Sequence, residues 1–391
     1  MSARADAEIP APLQEKCTSH CPATPVPFSA GERDGPNQER DAAGCRRFVA
    51  SGAPVRVLVT GSSGQIGTNL AIRLQQDGHE VFGVDKRQNT WTDEFRYLLQ
   101  DLAGNYAPFR GGINGVEYPK VDVVVHLAAH AKVHQLVKQP HRALENAVMT
   151  FNVLEYARLR KIPIVFSSSR EVYGDVHRFD VYREQVADFA YAESTYSASK
   201  IAGEAFIYSY ARCYDLPYLV FRFSNVYGRF DNDLARMVRV IPLFIHSMLR
   251  DEPITIYGGH DKTLDFTYVD DCVDGIVRGI EALAERRVVN QTINLAYGQG
   301  NTLVHCAERI AVELGVEPVV TMAPSLLGEV THYVADLSKA RSLLGYDPKV
   351  PLDEGIARAV AWFREHRAAH PEENILVAAD HEGTLGDAGP L

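Results

Sequence analysis

"VRVLVTGSSGQIGTNLAIRLQQ", residues 55–76, decides how the chain is read. A short apolar run, "VRVLVT", ends on a glycine turn. The period then changes, and Ile66, Leu70 and Leu74 fall on one face of a helix. Gly61, Gly64 and Gly67 stand between strand and helix. The first permits the turn, the second lets a pyrophosphate approach the backbone, and the third lets the helix pack on the strand. The helix N-terminus then faces the phosphates. The next strand, "EVFGVD" (80–85), ends on Asp85, where a carboxylate can accept hydrogen bonds from an adenine ribose.

Further along, "VDVVVHLAA" (121–129), "IPIVFSSS" (162–169) and "PYLVFRFSN" (217–225) read as strands, with helical segments near 139–159 and 196–213. The nearly all-valine run suits a strand buried on both faces. Strand alternating with helix predicts an α/β fold, a Rossmann-type doubly wound parallel sheet over 54–224 with ligands at the carboxyl ends of its strands. Beyond 225 the order loosens. "VIPLFIHSMLR" (240–250), "DDCVDGIVRGIEALAE" (270–285) and "PLDEGIARAVAWFREH" (351–366) read as helices, and "ITIYG" and "TINLAY" as strands. A smaller mixed α/β substrate-binding domain is expected over 225–370, with some segments returning to the sheet.

Residues 1–53, rich in Pro, Ala, Gly and charge, are expected to form a disordered extension, and 371–391 a flexible tail. Cys17, His20, Cys21 and Cys45 lie in the extension. "CTSHC" could begin a zinc site, but the spacing to Cys45 fits no common framework, and no metal is expected.

Of 391 residues, 46% are hydrophobic and 23% charged, which is globular composition with ample material for a core. A net charge of −10 argues against nucleic acid or an anionic membrane as the main partner. No apolar stretch approaches the roughly 20 residues that span a bilayer. The N-terminus shows no apolar signal region, and six cysteines in so long a chain do not read as a disulfide framework. A cytoplasmic, reducing compartment is expected.

"YSASK" sets Tyr196 and Lys200 four apart on one helix face. An ammonium beside a phenol stabilises the phenolate, and a shift of about 3 units needs roughly 4 kcal/mol. Lys200, with an oxidised nicotinamide ring, would supply it and make Tyr196 a general base toward a sugar hydroxyl. Asp85 opposes a 2′-phosphate and favours NAD over NADP. Lys86 and Arg87 follow it, and either could pair with a phosphate. Asp101 in "LLQDLAG" could reach the adenine, or be a surface acid.

Taken together, "TGSSGQIG", "HLAA" (126–129), "ENAVMTFNVLEYAR" (145–158), "SSSREVYG", "YSASK", "RFSNVYG" (222–228), "LDFTYVDD" (264–271) and "ADLSKARSLLGYDP" (335–348) resemble an extended short-chain dehydrogenase/reductase of the NAD-dependent nucleotide-sugar epimerase/dehydratase type, from about Val55 to Arg367. The resemblance implies that Ser169 hydrogen-bonds the reacting hydroxyl beside Tyr196, that Lys200 holds the nicotinamide ribose, and that Ser168 and Asn225 contact substrate. It places Gln65, Ile66, Leu102, Leu127, Ala128 and Ala129 among the NAD contacts, and gives Asn152 a structural role. The helices around 145–158 and 196–213 resemble a pair that forms a four-helix homodimer interface. The implied chemistry is a transient oxidation at C4 of a nucleotide sugar.

Two departures stand out. Arg170 occupies a slot where 4,6-dehydratases carry an aspartate acid; it cannot donate a proton at neutral pH, which disfavours 4,6-dehydration. Glu171 matches a glutamate of dehydratases and UDP-glucuronate decarboxylases. Arg170 could bind an anionic C6 group, or the two could simply pair with each other. Leu264 and Leu326 stand where the family generally places arginines that grip the diphosphate. Lys262, two residues before Leu264, could substitute, and His260 and Arg236 are further candidates. His130, Lys132 and His134 fall on a loop facing the site. The expected function is a 4-epimerase acting on a UDP-hexose or UDP-hexuronic acid. The rivals are a UDP-glucuronate decarboxylase or 5,6-type dehydratase using Glu171, an oxidoreductase of another phosphorylated metabolite, and a non-catalytic NAD-binding scaffold.

Overall fold

The valine-rich runs build one parallel sheet. In a computed structural model, the structure describes residues 52–104, 112–113, 116–174, 181–184, 192–232, 239–326 and 330–370. The expectations for the N-terminal extension up to residue 51 with its cysteines, for Arg236 and for the tail lie outside the described residues. In chain order the nucleotide half comprises β1 (Arg56–Thr60), α1 (Gln65–Gln76), β2 (Glu80–Asp85), β3 (Arg96–Leu99), β4 (Gly112–Ile113), β5 (Val116–Glu117), β6 (Val123–His126), α2 (Val133–Lys138), α3 (His141–Arg160), β7 (Ile164–Ser169), α4 (Thr195–Tyr214) and β8 (Tyr218–Phe223). There follow β9 (Asn225–Tyr227), α5 (Val240–Met248), β10 (Ile254–Tyr257), β11 (Thr263–Tyr268), α6 (Val269–Ala284), β12 (Gln291–Leu295), β13 (Gly300–Thr302), α7 (Leu303–Leu314), β14 (Val320–Ala323), β15 (His332–Tyr333), α8 (Ser338–Leu344) and α9 (Leu352–Ala369).

Seven strands pair in the order β12-β8-β7-β6-β1-β2-β3, all parallel. Side chains alternate between the two faces. Val57, Val59, Val125 and Val165 join the core that holds residues of α1 and α6, while Leu58, Val124, Ile164 and Phe166 join the core that holds residues of α3 and α4. Both faces are therefore dry, as the continuous apolar runs predict. Each fully buried valine contributes about 1.5 kcal/mol or more. The register brings Thr60, Asp85 and His126 to one carboxyl edge, and β7 extends Ser169 beyond it against Phe223. The edge strand β3 went unread in the sequence, because "RYLL" is exposed at both ends and carries no alternation.

The late segment "TINLAY" does return to the sheet, as β12 beside β8. A second sheet sets β11 between β13 and β15, with β9 on its far end, and β10 pairs with β14. This second sheet carries Asn225 next to Phe266. Among the described residues no helix is long and apolar enough to cross a membrane.

The glycine turn is set by space. Gly61 has φ of 74°, and a Cβ there would stand 2.7 Å from the Ala128 amide nitrogen. A Cβ on Gly67 would stand 2.1 Å from the Gly61 carbonyl oxygen. That neighbour is backbone and cannot rotate away. We therefore expect Gly67→Ala to lower stability by about 3 kcal/mol, the upper end of overpacking effects. Urea unfolding measures it, and a change below about 0.5 kcal/mol, within the range of ordinary surface substitutions, would contradict the close approach.

Candidate active site

The N-cap of α1 is Gly64, which offers no side-chain cap to the first-turn amides. Uncapped N–H groups with the positive end of the helix dipole make an anion site. They open on a cleft at the carboxyl edge of the sheet. Gly61, Gly64, Gln65, Asp85 and Lys86 line it from one side, and Asp101, Leu102, Leu127, Ala128 and Ala129 from the other. Ile66 and Gly67 do not line it. Ile66 packs against the core and Gly67 lies on the Gly61 carbonyl, since the inner face of α1 must meet β1. The Asp85 carboxylate accepts from the backbone amides of Ser63 and Arg87, both at 3.0 Å, which fixes its orientation at the cleft. Gln65 Nε2 is buried with no hydrogen-bond partner among the described residues. Bare amides, an oriented carboxylate and an orphan amide donor fit a dinucleotide, whose pyrophosphate the turn would hold and whose ribose Asp85 would bind.

Beside Asp85, Lys86 Nζ and Arg142 Nη1 each lie 3.3 Å from the His130 ring, and Glu145 Oε2 lies 2.6 Å from its Nε2. Burial and the two cations outweigh Glu145 and hold the imidazole below its ordinary range. Lys132 lines the cleft, whereas His134 is exposed. Asp101 accepts from the Ala103 amide, and Asn152 donates to the Leu102 carbonyl at 2.7 Å, the structural role implied for it.

At the end of β7, Ser169 caps the 3-10 turn Arg170–Tyr173, accepting from the Glu171 amide at 3.2 Å. Its hydroxyl also acts on the Tyr196 phenol, favouring the ionised form; Tyr196 sits in the first turn of α4 behind the Ser194 cap. Lys200, one turn on, donates to the Ser167 carbonyl at 2.8 Å, with its Nζ 5.8 Å from the centre of the Tyr196 ring. Ser169, Tyr196 and Lys200 are brought together. The electrostatics differ from the sequence argument. Burial pushes the Tyr196 phenol up to about 12, against the Ser169 hydrogen bond. Lys200 itself is pushed down to about 8 by burial, opposed by Glu204. Proximity in sequence gives the pairing and misses the desolvation that both groups share.

Glu204, two turns into α4, and Arg222 on β8 form a buried bidentate pair at 2.8 and 2.6 Å. Burial raises the Glu204 carboxyl, but Arg222, Ser168 and Tyr208 bring it below its ordinary range. Ser168 is spent here: it donates to Glu204 at 2.5 Å, is 3% exposed and faces α4, so it stands in the packing between helix and sheet and not toward a substrate. Strand alternation, which separates Ser168 from Ser169, is the reason.

Arg170 and Glu171 pair at 3.0 Å, both nearly buried. Arg170 Nη2 also reaches Asn225 Oδ1 at 3.4 Å, while its Nη1 is buried without a hydrogen-bond partner among the described residues. Asp265, fully buried, is pushed up to about 7, against three backbone amides and Arg170. Leu264 is 5% exposed and paired between Tyr333 and Asn301, a core position. Lys262 is buried beside Gly258 just before β11, and His260 is exposed. The sequence reading missed Arg239, which lines the cleft, bonds Gln65 Oε1 and Asp231, and exerts its charge on Tyr196. It missed Trp91 and Phe230 in the same wall. No spacing rule points to any of the three.

Fold and site define an α/β protein with a dinucleotide-type cleft at the carboxyl edge of its sheet, and with Ser169, Tyr196 and Lys200 grouped at the end of β7, outside the residues that line the cleft. The model of the NAD dependent epimerase/dehydratase family matches residues 57–296, and the chain belongs to that family. It is an NAD-dependent enzyme of the epimerase or decarboxylase/dehydratase kind. A UDP-glucose 4-epimerase of Mycolicibacterium smegmatis is 32% identical over 327 residues, 79% of this chain and 99% of that one. A UDP-glucuronic acid decarboxylase 1 of Xenopus tropicalis is 30% identical, over 82% of this chain and 76% of that one. Among solved structures, a Thermotoga maritima UDP-glucose 4-epimerase with UDP-glucose superposes with a TM-score of 0.70 at 27% identity, covering 80% of this chain and 99% of that one.

Two outcomes test the buried charges. Glu204→Ala should lower stability by about 3–5 kcal/mol in urea unfolding, because it strands the Arg222 guanidinium. Lys200 gives a pH signature. Its folded value near 8 lies below the 10.5 of an exposed lysine. Between these values the unfolded chain binds the extra proton, so stability rises with pH there and is flat below pH 8. Lys200→Met should remove that rise; an identical slope in both proteins would contradict the burial of the ammonium.

Proposed function

We propose that the chain is an NAD-dependent nucleotide-sugar 4-epimerase that inverts C4 of a UDP-hexose by way of a 4-keto sugar. The observation that carries the reading is the ion pair at the end of β7. Glu171 is held by Arg170 at 3.0 Å, which withdraws the carboxylate that decarboxylation or dehydration would use as an acid or base. The Arg170–Glu171 pair as a whole carries no net charge, which favours a neutral hexose over a hexuronic acid beside it. The orphan Arg170 Nη1 remains a donor for a neutral sugar oxygen.

In this reading Tyr196 accepts the C4 hydroxyl proton and Ser169 orients that hydroxyl. The phenol must fall from about 12 to act at neutral pH; Arg170 and Arg239 are the cations that pull it down, and Lys200 Nζ stands 5.8 Å from the ring centre. When bound, NAD supplies the two-electron acceptor that oxidises C4 and later returns the electrons. The uncapped amides of α1 and Asp85 would hold it. Asn225, beside Arg170, and Lys262 are the candidate substrate contacts. The α3–α4 face exposes Leu144, Leu159, Phe206 and Tyr214, which favours a homodimer through a four-helix bundle.

Incubation with UDP-glucose should give a UDP-hexose of unchanged mass and altered C4 configuration. Loss of CO2 from UDP-glucuronate, or of water, would instead establish the Glu171 reading. Tyr196→Phe should lower kcat by about 10²–10⁴. Glu171→Gln should lower stability, because it leaves the nearly buried Arg170 guanidinium without its counter-charge, while the folded variant keeps kcat within about tenfold of the parent, short of the loss expected on removing an acid or base.

A further inference from the structure

Two loops far apart in sequence, both lining the cofactor cleft, meet each other beside it. Trp91, in the loop after β2, and Phe230, just after β9, both line the cleft, with ring centroids 5.7 Å apart. Trp91 Nε1 donates to Asn232 Oδ1 at 2.9 Å. The Trp91 loop is pinned from below: Asn89 Nδ2 donates to Thr68 Oγ1 of α1, and Asn89 Oδ1 accepts from the Trp91 and Thr92 amides. On the other side the Phe230 ring meets Trp362 of α9 edge-on at 5.7 Å. Phe230 itself has φ of 58°, a left-handed conformation that a bulky residue rarely adopts. Arg229 to Asn69 and Arg239 to Gln65 fasten the same stretch to α1.

We propose that Trp91, Phe230 and Asn232 form a clasp that retains the dinucleotide in its cleft. In this reading release loosens the ring contact and the Trp91–Asn232 hydrogen bond, while the Asn89 pins and the Phe230 backbone hold the two loops in place. Retention suits a reaction that must give back the electrons it takes, because a cofactor lost midway strands an oxidised sugar. The clasp concerns NAD binding, and does not depend on which sugar is turned over.

The test uses the full chain without any sugar. The two tryptophans of the protein both touch Phe230, so a Trp362→Phe background leaves Trp91 as the single reporter. NAD is loaded, and its release into an enzymatic trap is followed together with Trp91 fluorescence. Asn232→Ala removes the hydrogen bond to Trp91 and leaves both rings. Phe230→Asn removes the ring and keeps a residue that tolerates the left-handed backbone. Each should release NAD about tenfold faster and purify with less of it, with the NAD-free Asn232→Ala protein still unfolding near the parent's midpoint. Release rates within about twofold of the parent in both variants would overturn the clasp; if Phe230→Asn does not fold, Asn232→Ala decides alone. Faster release in a protein that epimerises no UDP-sugar would refute the sugar reading and leave the clasp standing.

Discussion

The buried Glu204–Arg222 pair fixes the catalytic helix on the sheet. Charges taken out of water repay their desolvation only when every bond is well made. Here the guanidinium bonds both carboxylate oxygens, the Tyr173 hydroxyl and the Glu184 carbonyl, and the carboxylate also accepts from Ser168 and Tyr208. Such a network tolerates one register of α4 against β7 and β8. Lys200 and Tyr196 lie one and two turns before Glu204 on the same helix face, so their positions follow from it. Ser169 follows too, as the residue after Ser168 on the strand.

The parts legible in the sequence were those with a local signal. The glycine turn, the valine strands and the four-residue spacing of Tyr196 and Lys200 are short-range patterns, and they placed the sheet and the group at its edge. The partner of Arg222 was not legible, because Glu204 reaches it only once helix and strand have packed. Nor was the side of β7 on which Ser168 falls, since a run of three serines carries no alternation. The opposed shifts of Tyr196 and Lys200 depend on burial, which spacing does not report. Arg170 beside Glu171 was visible as a choice between ligand and mutual pairing, and the 3.0 Å contact makes it a pair.

The charge pattern around the cleft is correspondingly specific. Leu264 is part of the core of the second sheet, so a cation there would have no solvent to reach. Positive charge enters instead from Lys86 and Arg142 near Asp85 and from Arg239 near Tyr196, each tied to a neighbour that limits its swing. Two acids are raised by burial in the same region, Asp231 to about 6 despite Arg239 and Asp265 to about 7. Proton uptake by these carboxyls would unmask the arginines that face them.

The sheet is finished out of order. β12 belongs against β8, yet it is made roughly 70 residues later, after β9 to β11 and two helices. At ordinary ribosomal speeds β8 waits about 4–14 s for its neighbour. During that interval an almost wholly apolar strand presents a bare hydrogen-bonding edge. The nascent chain is therefore most exposed to mispairing with other chains before Leu295 has emerged, a burden on chaperones that the finished molecule no longer displays.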